Sequence, residues 1–491
     1  MATSSGGSIG ILGQQGAIYA LGNVLSRLGG FILLPLYLRV LSPSEYGILE
    51  MFYTTSAILA VFVSGGLAQA AMRFYFEYKD EVDRRSVITT ALVAASGISV
   101  TTALALWPFA GPVSEMLVGK AEYASSFHLV LLTLVVQLTS EVGLNYLRVK
   151  NYPWRFVIAS LGQLALQIVI NIVTVAVLGL GVPGVLIGNL LGALVAGLIV
   201  VWIAVAECGW KWSTTKLFKM LQYTWPMIVA GIAAVFIDRA DRFVLQVTLG
   251  LDAVGIYALA EKLAMIFAVG FLQPFRLAYG AYRFSIIDHP DRASLQRQVL
   301  RQYLLIASCI GLALVLAVPP LLKMISQDSY WSAAGLLPIL MLRNVLSGAE
   351  YIFQTGILYA KKTRRVMVIQ VSSGVLRVAA TLLLVGVIGL PAPAYGALLG
   401  MAVAALTSML VAKRYDRVDW RLFAVGRLLA IAVACFALAA KADGAFLASA
   451  AIAVGFVAAC LLARVVSIRE VREGYGAMRA WIRRRRGSLP E

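Results

Sequence analysis

Apolar residues in this chain run in long stretches parted by short polar turns, and fourteen of the stretches are long enough to cross about 30 Å of hydrocarbon as helices. Their approximate cores are 15–41, 45–71, 86–107, 124–147, 154–178, 182–206, 222–249, 253–275, 299–320, 333–358, 366–389, 393–412, 422–440 and 444–463. Ser42-Pro43-Ser44-Glu45 is a capping box with proline at the first helical position, so a new helix is expected to start there. The pattern predicts an all-α, polytopic membrane protein of about fourteen transmembrane helices.

Composition agrees: 60% hydrophobic residues, 13% charged residues and a mean hydropathy of +0.84 over 491 residues exclude a soluble globule. Cys208, Cys309, Cys435 and Cys460 are scattered without paired spacing and imply neither a disulfide framework nor a metal site. Residues 1–14 lack the basic start and cleavage site of a signal peptide, so the first span is expected to stay attached.

Charge adds orientation. Of 42 lysines and arginines, 23 fall in connections after even-numbered segments and 4 after odd-numbered ones, which puts both termini in the cytoplasm. The tail from Arg464 adds 8 arginines, and its apolar residues recur at helical spacing, as in an amphipathic helix on anionic lipid. The net charge of +18 is thereby a topological signal, and no nucleic-acid partner is expected.

Seven basic residues remain inside the segments: Arg27, Arg239, Arg242, Lys262, Arg343, Arg377 and Arg427, the last near enough to a helix start to snorkel. Five acids lie as deep: Glu141, Asp238, Asp241, Glu261 and Glu350. Four of these charges fall within Asp238-Arg239-Ala240-Asp241-Arg242. An unpaired charge at membrane depth costs at least about 2.5–3.5 kcal/mol, so these groups must pair or face a common wet interior. Two readings follow. Either a hydrated, slightly cationic cavity receives an anionic group such as phosphate, which arginine binds bidentately, or the charges form helix-to-helix salt bridges with no ligand, Asp238 and Arg242 being four apart on one face. Glu261 and Lys262 are adjacent and so point in different directions.

An internal repeat favours transport. Leu38 to Ile48, leading through an apolar helix to Arg73-Phe74, is echoed by Leu249 to Tyr257 leading to Arg283-Phe284. The chain is therefore expected to form two pseudo-symmetric six-helix lobes, 1–210 and 211–415, followed by two extra helices in 416–464 and a basic amphipathic tail, 465–491.

The segments Tyr37-Leu38-Arg39-Val40-Leu41-Ser42-Pro43-Ser44-Glu45-Tyr46-Gly47, Gly66-Leu67-Ala68-Gln69-Ala70-Ala71-Met72-Arg73-Phe74-Tyr75, and Asp241-Arg242-Phe243-Val244-Leu245 followed by Val254-Gly255-Ile256-Tyr257 resemble the polysaccharide-export branch of the multidrug/oligosaccharidyl-lipid/polysaccharide exporter superfamily, the Wzx-type O-antigen and exopolysaccharide flippases above all. The resemblance spans essentially the whole chain and is silent on the sugar. It implies translocation of an undecaprenyl-diphosphate-linked oligosaccharide across the bacterial inner membrane by alternating access, for exopolysaccharide, capsule or O-antigen assembly. It further implies substrate contacts at Arg27, Arg73, Arg239, Arg242, Lys262, Arg343 and Arg377, with Glu141, Asp238, Asp241 and Glu350 as candidates for coupling to H+ or Na+. Implied partners are the lipid-linked glycan, membrane lipids, a polysaccharide polymerase and a chain-length regulator.

Three alternatives are weighed against this. A cation-coupled multidrug exporter of the MATE type is expected to carry an acid in its N-terminal lobe cavity, where segment one presents Arg27. A lipid II flippase shares the fold and the cationic cavity. A polysaccharide polymerase or ligase, an enzyme, needs a large external loop, yet the longest external connections, 108–123 and 321–332, are short; no G-x-x-x-x-G-K-[S/T] stretch is present for ATP.

Overall fold

A computed structural model describes residues 30–64, 66–416, 418–420, 422–441 and 446–462, and every regular element among them is helical. Eleven helical stretches are long and apolar enough to cross a membrane, and they correspond to predicted segments two to twelve. Of the other three, the first is described only from Gly30, and the last two are helices at Leu422–Lys441 and Phe446–Leu462.

Helix α1 (Leu34–Val40) ends at the turn read as a capping box, and the box is formed: Ser42 N donates to Glu45 Oε2 at 2.8 Å while Glu45 N donates to Ser42 Oγ at 3.3 Å. It opens α2 (Pro43–Ser64). Segment two does not continue unbroken. Gly66 takes φ 93°, a left-handed conformation open to glycine, and the chain restarts as α3 (Leu67–Glu77). The remaining helices are α4 (Glu81–Leu106), α5 (Ala110–Val118), α6 (Ala124–Val149), α7 (Pro153–Asn171), α8 (Gly181–Cys208), α9 (Thr214–Leu249), α10 (Leu251–Phe267), α11 (Gln273–Ser285), α12 (Arg292–Ile325), α13 (Leu337–Phe353), α14 (Thr355–Tyr359), α15 (Thr363–Ile388), α16 (Ala392–Ala412), α17 (Leu422–Lys441) and α18 (Phe446–Leu462).

By internal contacts the chain divides into two units, Met1–Ala258 with Ile325–Tyr330, and Leu259–Met324 with Trp331–Glu491. In the first unit α9 packs on α2, α3 and α4, and a core of Leu67, Phe74, Ile88, Tyr146, Cys208 and Met220 joins the helices. The repeat seen in the sequence meets itself here. A Cβ on Gly47 would lie 2.1 Å from Leu251 O, and a Cβ on Gly255 would lie 2.0 Å from Pro43 O, so the starts of α2 and α10 cross backbone to backbone at the two matched glycines. The segment 325–330 clamps the same turn: Gln327 Nε2 donates to Arg39 O at 2.8 Å, and Tyr330 OH donates to Leu41 O at 3.1 Å.

In the second unit α16 lies tight against α15 because Gly396 and Gly400 admit it; a Cβ at Gly400 would lie 2.7 Å from Ser373 O and 3.1 Å from Arg377 Cβ. Segment eight corrects the sequence-based boundary at 275. A π-helical turn over Ala268–Leu272 carries the helix on into α11 as far as Ser285, so Arg276 and Arg283, which lie beyond that boundary and count among the 23 basic residues of the connections, are helical. The polar face of this amphipathic stretch hid its helicity from a hydropathy reading.

Candidate functional site

The second unit holds a charge cluster in which two arginines meet at one carboxylate. Glu261 on α10 lies 3.8 Å from Arg343 Nη1 on α13 and 3.7 Å from Arg377 Nη2 on α15. Two guanidinium groups share one carboxylate, and Lys262 follows Glu261 directly in the chain. The cluster's side chains are largely sheltered, with relative exposures of 18% for Glu261, 24% for Arg343 and 10% for Arg377. Arg377 is positioned by the glycine-lined approach of α16, and α13 is fixed beside α10 by Asn344 Nδ2 donating to Ala264 O at 3.2 Å.

Two further arginines of this unit were missed from the sequence. Arg276 Nη2 donates to Ser347 Oγ at 2.7 Å, and its guanidinium stands 5.4 Å from the Tyr351 ring centre. Arg283, only 8% exposed, stands 4.6 Å from the same ring, and its Nε and Nη1 make no hydrogen bond among the described residues. Neither arginine has an ion-pair partner among the described residues. Stacking on the negative face of a tyrosine replaces a carboxylate in part. The signal available in the sequence was spacing, since Phe275, Tyr279 and Tyr282 interleave with the two arginines along one helix.

Glu350, on α13 in the same unit, is buried at 3% exposure and held by neutral donors: Gln354 Nε2 at 2.5 Å, Ser408 Oγ at 2.9 Å and Gln370 Nε2 at 3.0 Å. Glu350 and Gln354 stand four apart at helical spacing, but nothing in the sequence pattern linked them to Gln370 and Ser408, which come from two other helices.

In the first unit the charges around α9 are more nearly balanced. Arg242 lies 3.8 Å from Glu50 with both side chains sheltered, at 6% and 11% exposure. Glu50 was absent from the deep acids read from the sequence, although the capping box at Ser42 already puts it inside the second helix. Asp241, fully buried, accepts from Tyr257 OH at 3.2 Å. Arg239 lies 3.8 Å from its neighbour Asp238, both more exposed. Glu141 accepts from Gln69 Nε2 at 3.2 Å, and Arg73 is exposed with its guanidinium 4.2 Å from the Tyr223 ring centre. Arg27 lies outside the described residues, as does the tail. The structure thus brings Arg343 and Arg377 together at Glu261, places Lys262 on the same helix as that carboxylate, and puts Arg73, Arg239 and Arg242 in the other unit.

A bundle of apolar helices with sheltered, unevenly matched charges and no strand among its described residues is the architecture of a multi-pass membrane transporter. Residues 12–278 match the family described as Polysaccharide biosynthesis protein, and the chain belongs to that family. It is similar to the Succinoglycan biosynthesis transport protein ExoT of Rhizobium meliloti (strain 1021), 26% identical over 255 residues, which is 50% of this chain and 49% of the relative. The chain thus matches about half the length of that relative. Among solved structures, the lipid II flippase MurJ in an inward closed conformation superposes with a TM-score of 0.65 at 12% identity, over 90% of this chain and 98% of that one. An inward-facing multidrug resistance MATE family transporter of the MOP superfamily gives 0.60 at 17% identity, over 81% and 94%. At these identities the likeness establishes a shared fold.

Proposed function

We propose that this protein flips a lipid-linked oligosaccharide, an undecaprenyl-diphosphate-linked repeat unit, from the cytoplasmic to the periplasmic leaflet of the bacterial inner membrane by alternating access of two six-helix lobes. The observation that carries the reading is the sharing of one carboxylate, Glu261, by two sheltered arginines, Arg343 and Arg377. Two guanidinium groups converging in a sheltered site are matched by a diphosphate, which accepts several charge-assisted hydrogen bonds in fixed geometry. Family membership and the likeness to a succinoglycan transport protein support a polysaccharide substrate over a drug cation.

The head group enters beside the basic cytoplasmic helix ends, where Arg73 and the Arg276–Arg283 pair offer first contacts. The prenyl tail stays in lipid while the phosphate passes to the Glu261, Lys262, Arg343 and Arg377 group. No bond is made or broken. Release outside requires weaker binding in the outward state, because a ligand shifts a two-state equilibrium only by its differential affinity. A proton exchanged on Glu350 supplies that difference: its ring of neutral donors holds a carboxylate without fixing its charge. A polymerase and a chain-length regulator act on the delivered unit.

Deletion of the gene is expected to stop polymer export and to leave lipid-linked repeat unit accumulated in the cytoplasmic leaflet, scored by lectin or reagent access in everted and right-side-out vesicles. Repeat unit found in the outer leaflet of the deletion strain would refute the reading. Glu350→Gln is expected to make flipping in vesicles insensitive to an imposed pH gradient; full sensitivity in that variant would remove Glu350 from coupling.

A further inference from the structure

One cavity in the first unit is lined by none of the charges described above, although Glu50 and Glu141 each lie one helical turn from a lining residue, Tyr53 and Gln137. It encloses about 230 Å3 between α2, α6 and α8, and its polar wall is made by Tyr53, Ser56, Thr133, Gln137 and Asn189. None of its described lining residues is charged; the rest of that wall is small or aliphatic, Ala57 and Leu186 among it.

The polar groups differ in how far they are already engaged. Asn189 is held on both sides, its Nδ2 donating to Tyr53 OH at 2.7 Å and its Oδ1 accepting from Gln167 Nε2. Thr133 Oγ1 donates back to Leu129 O at 2.7 Å. Gln137 and Ser56, by contrast, make no side-chain hydrogen bond among the described residues. Gln137 is exposed midway along α6, a helix of 26 residues, and so presents a primary amide at membrane depth. A free amide there is tolerated only where it meets water or a ligand.

We propose that this cavity seats one uncharged pyranose ring of the transported head group, separately from the cations that hold the phosphate. The proposal rests on the flippase reading above and names a second part of the same substrate. A primary amide donates to one hydroxyl and accepts from its neighbour, the pairing that vicinal ring hydroxyls require, and the Ser56 hydroxyl can do either. The aliphatic wall covers the C–H face of the ring. A pocket with a few placed polar groups on an apolar lining is the usual form of a small-molecule site. The described lining supplies no counter-charge of its own, so a sugar enters it without the desolvation cost that a drug cation or a diphosphate would meet. The held Asn189–Tyr53 pair supplies fixed geometry, so a sugar lacking the matching hydroxyl leaves a polar group unmet and is rejected.

The test uses the full-length protein in lipid nanodiscs, with the thermal midpoint read against methyl glycosides of glucose, galactose, mannose and N-acetylglucosamine, against inorganic pyrophosphate, and against the hydrophobic cation tetraphenylphosphonium. At least one glycoside is expected to raise the midpoint of the unaltered protein. That shift should vanish in Gln137→Ala, which removes an amide with no partner among the described residues, and in Ala57→Leu, which fills the cavity, while the pyrophosphate shift survives in both. Gln137→Asn, which keeps the amide, should retain part of the glycoside shift. The phosphate reading is read separately: Arg377→Ala should lose the pyrophosphate shift and keep that of the glycoside. Absence of any glycoside shift in the unaltered protein, a glycoside shift that persists in both pocket variants, or a tetraphenylphosphonium shift abolished by Gln137→Ala would each overturn the proposal. A glycoside response without a pyrophosphate response would leave the sugar seat standing and remove the phosphate site.

Discussion

Arg377→Ala is expected to lower polymer export by at least about tenfold while the protein remains in the membrane, because a charge-assisted hydrogen bond is worth roughly 1.5–3 kcal/mol. Its removal leaves Arg343 as the remaining arginine on Glu261 and takes away one of the two guanidinium groups proposed to hold the phosphate. Arg377→Met keeps most of the packing against Gly400 and should be as defective as alanine, which separates lost charge from lost volume. Arg377→Lys retains charge without the planar fork and should fall between. Glu261→Gln moves the balance the other way. Pyrophosphate should bind more tightly while export still falls, since a head group held equally well in both states is not released. Export in Arg377→Met equal to that of the unaltered protein would end the role given to the cluster.

The second large effect is steric. Gly255→Val is expected to deplete the protein from the membrane, or to lower its thermal midpoint sharply in detergent, because the first side-chain carbon would sit 2.0 Å from Pro43 O. A backbone carbonyl cannot rotate away, so the helix starts must separate, at a cost of roughly 1–3 kcal/mol or more. Gly47→Ala should do much the same, its new carbon lying 2.1 Å from Leu251 O. Gly162→Ala, where nothing lies within 4 Å, is the control and should be silent. Equal behaviour of Gly162→Ala and Gly47→Ala would show that the crossing contributes nothing.

These two sites differ in how far they could be read beforehand. Gly47 and Gly255 were visible as matching positions of a repeat, but their mutual contact was not, since matching says nothing of distance. Arg343 and Arg377 were visible as charges too deep to be ignored. That they share Glu261 was hidden because the three residues come from three helices far apart in the chain, and only packing sets which faces meet. Arg276 and Arg283 were misassigned for a different reason: a hydropathy reading ends a span where polar residues begin, whereas the backbone continues through a π-helical turn into an amphipathic helix.

The sequence by itself determined that the chain is a bundle of membrane-crossing helices, where most of them lie, and that a helix starts at Pro43. Hydrocarbon admits few backbone solutions and the capping box is local, so both are written in neighbouring residues. Only the tertiary structure decided which charges pair, which glycines touch, and that a neutral cavity forms between α2, α6 and α8. Those outcomes depend on the rotation of each helix about its own axis, which is fixed by contacts among residues distant in the chain and leaves no mark in the run of hydrophobic positions.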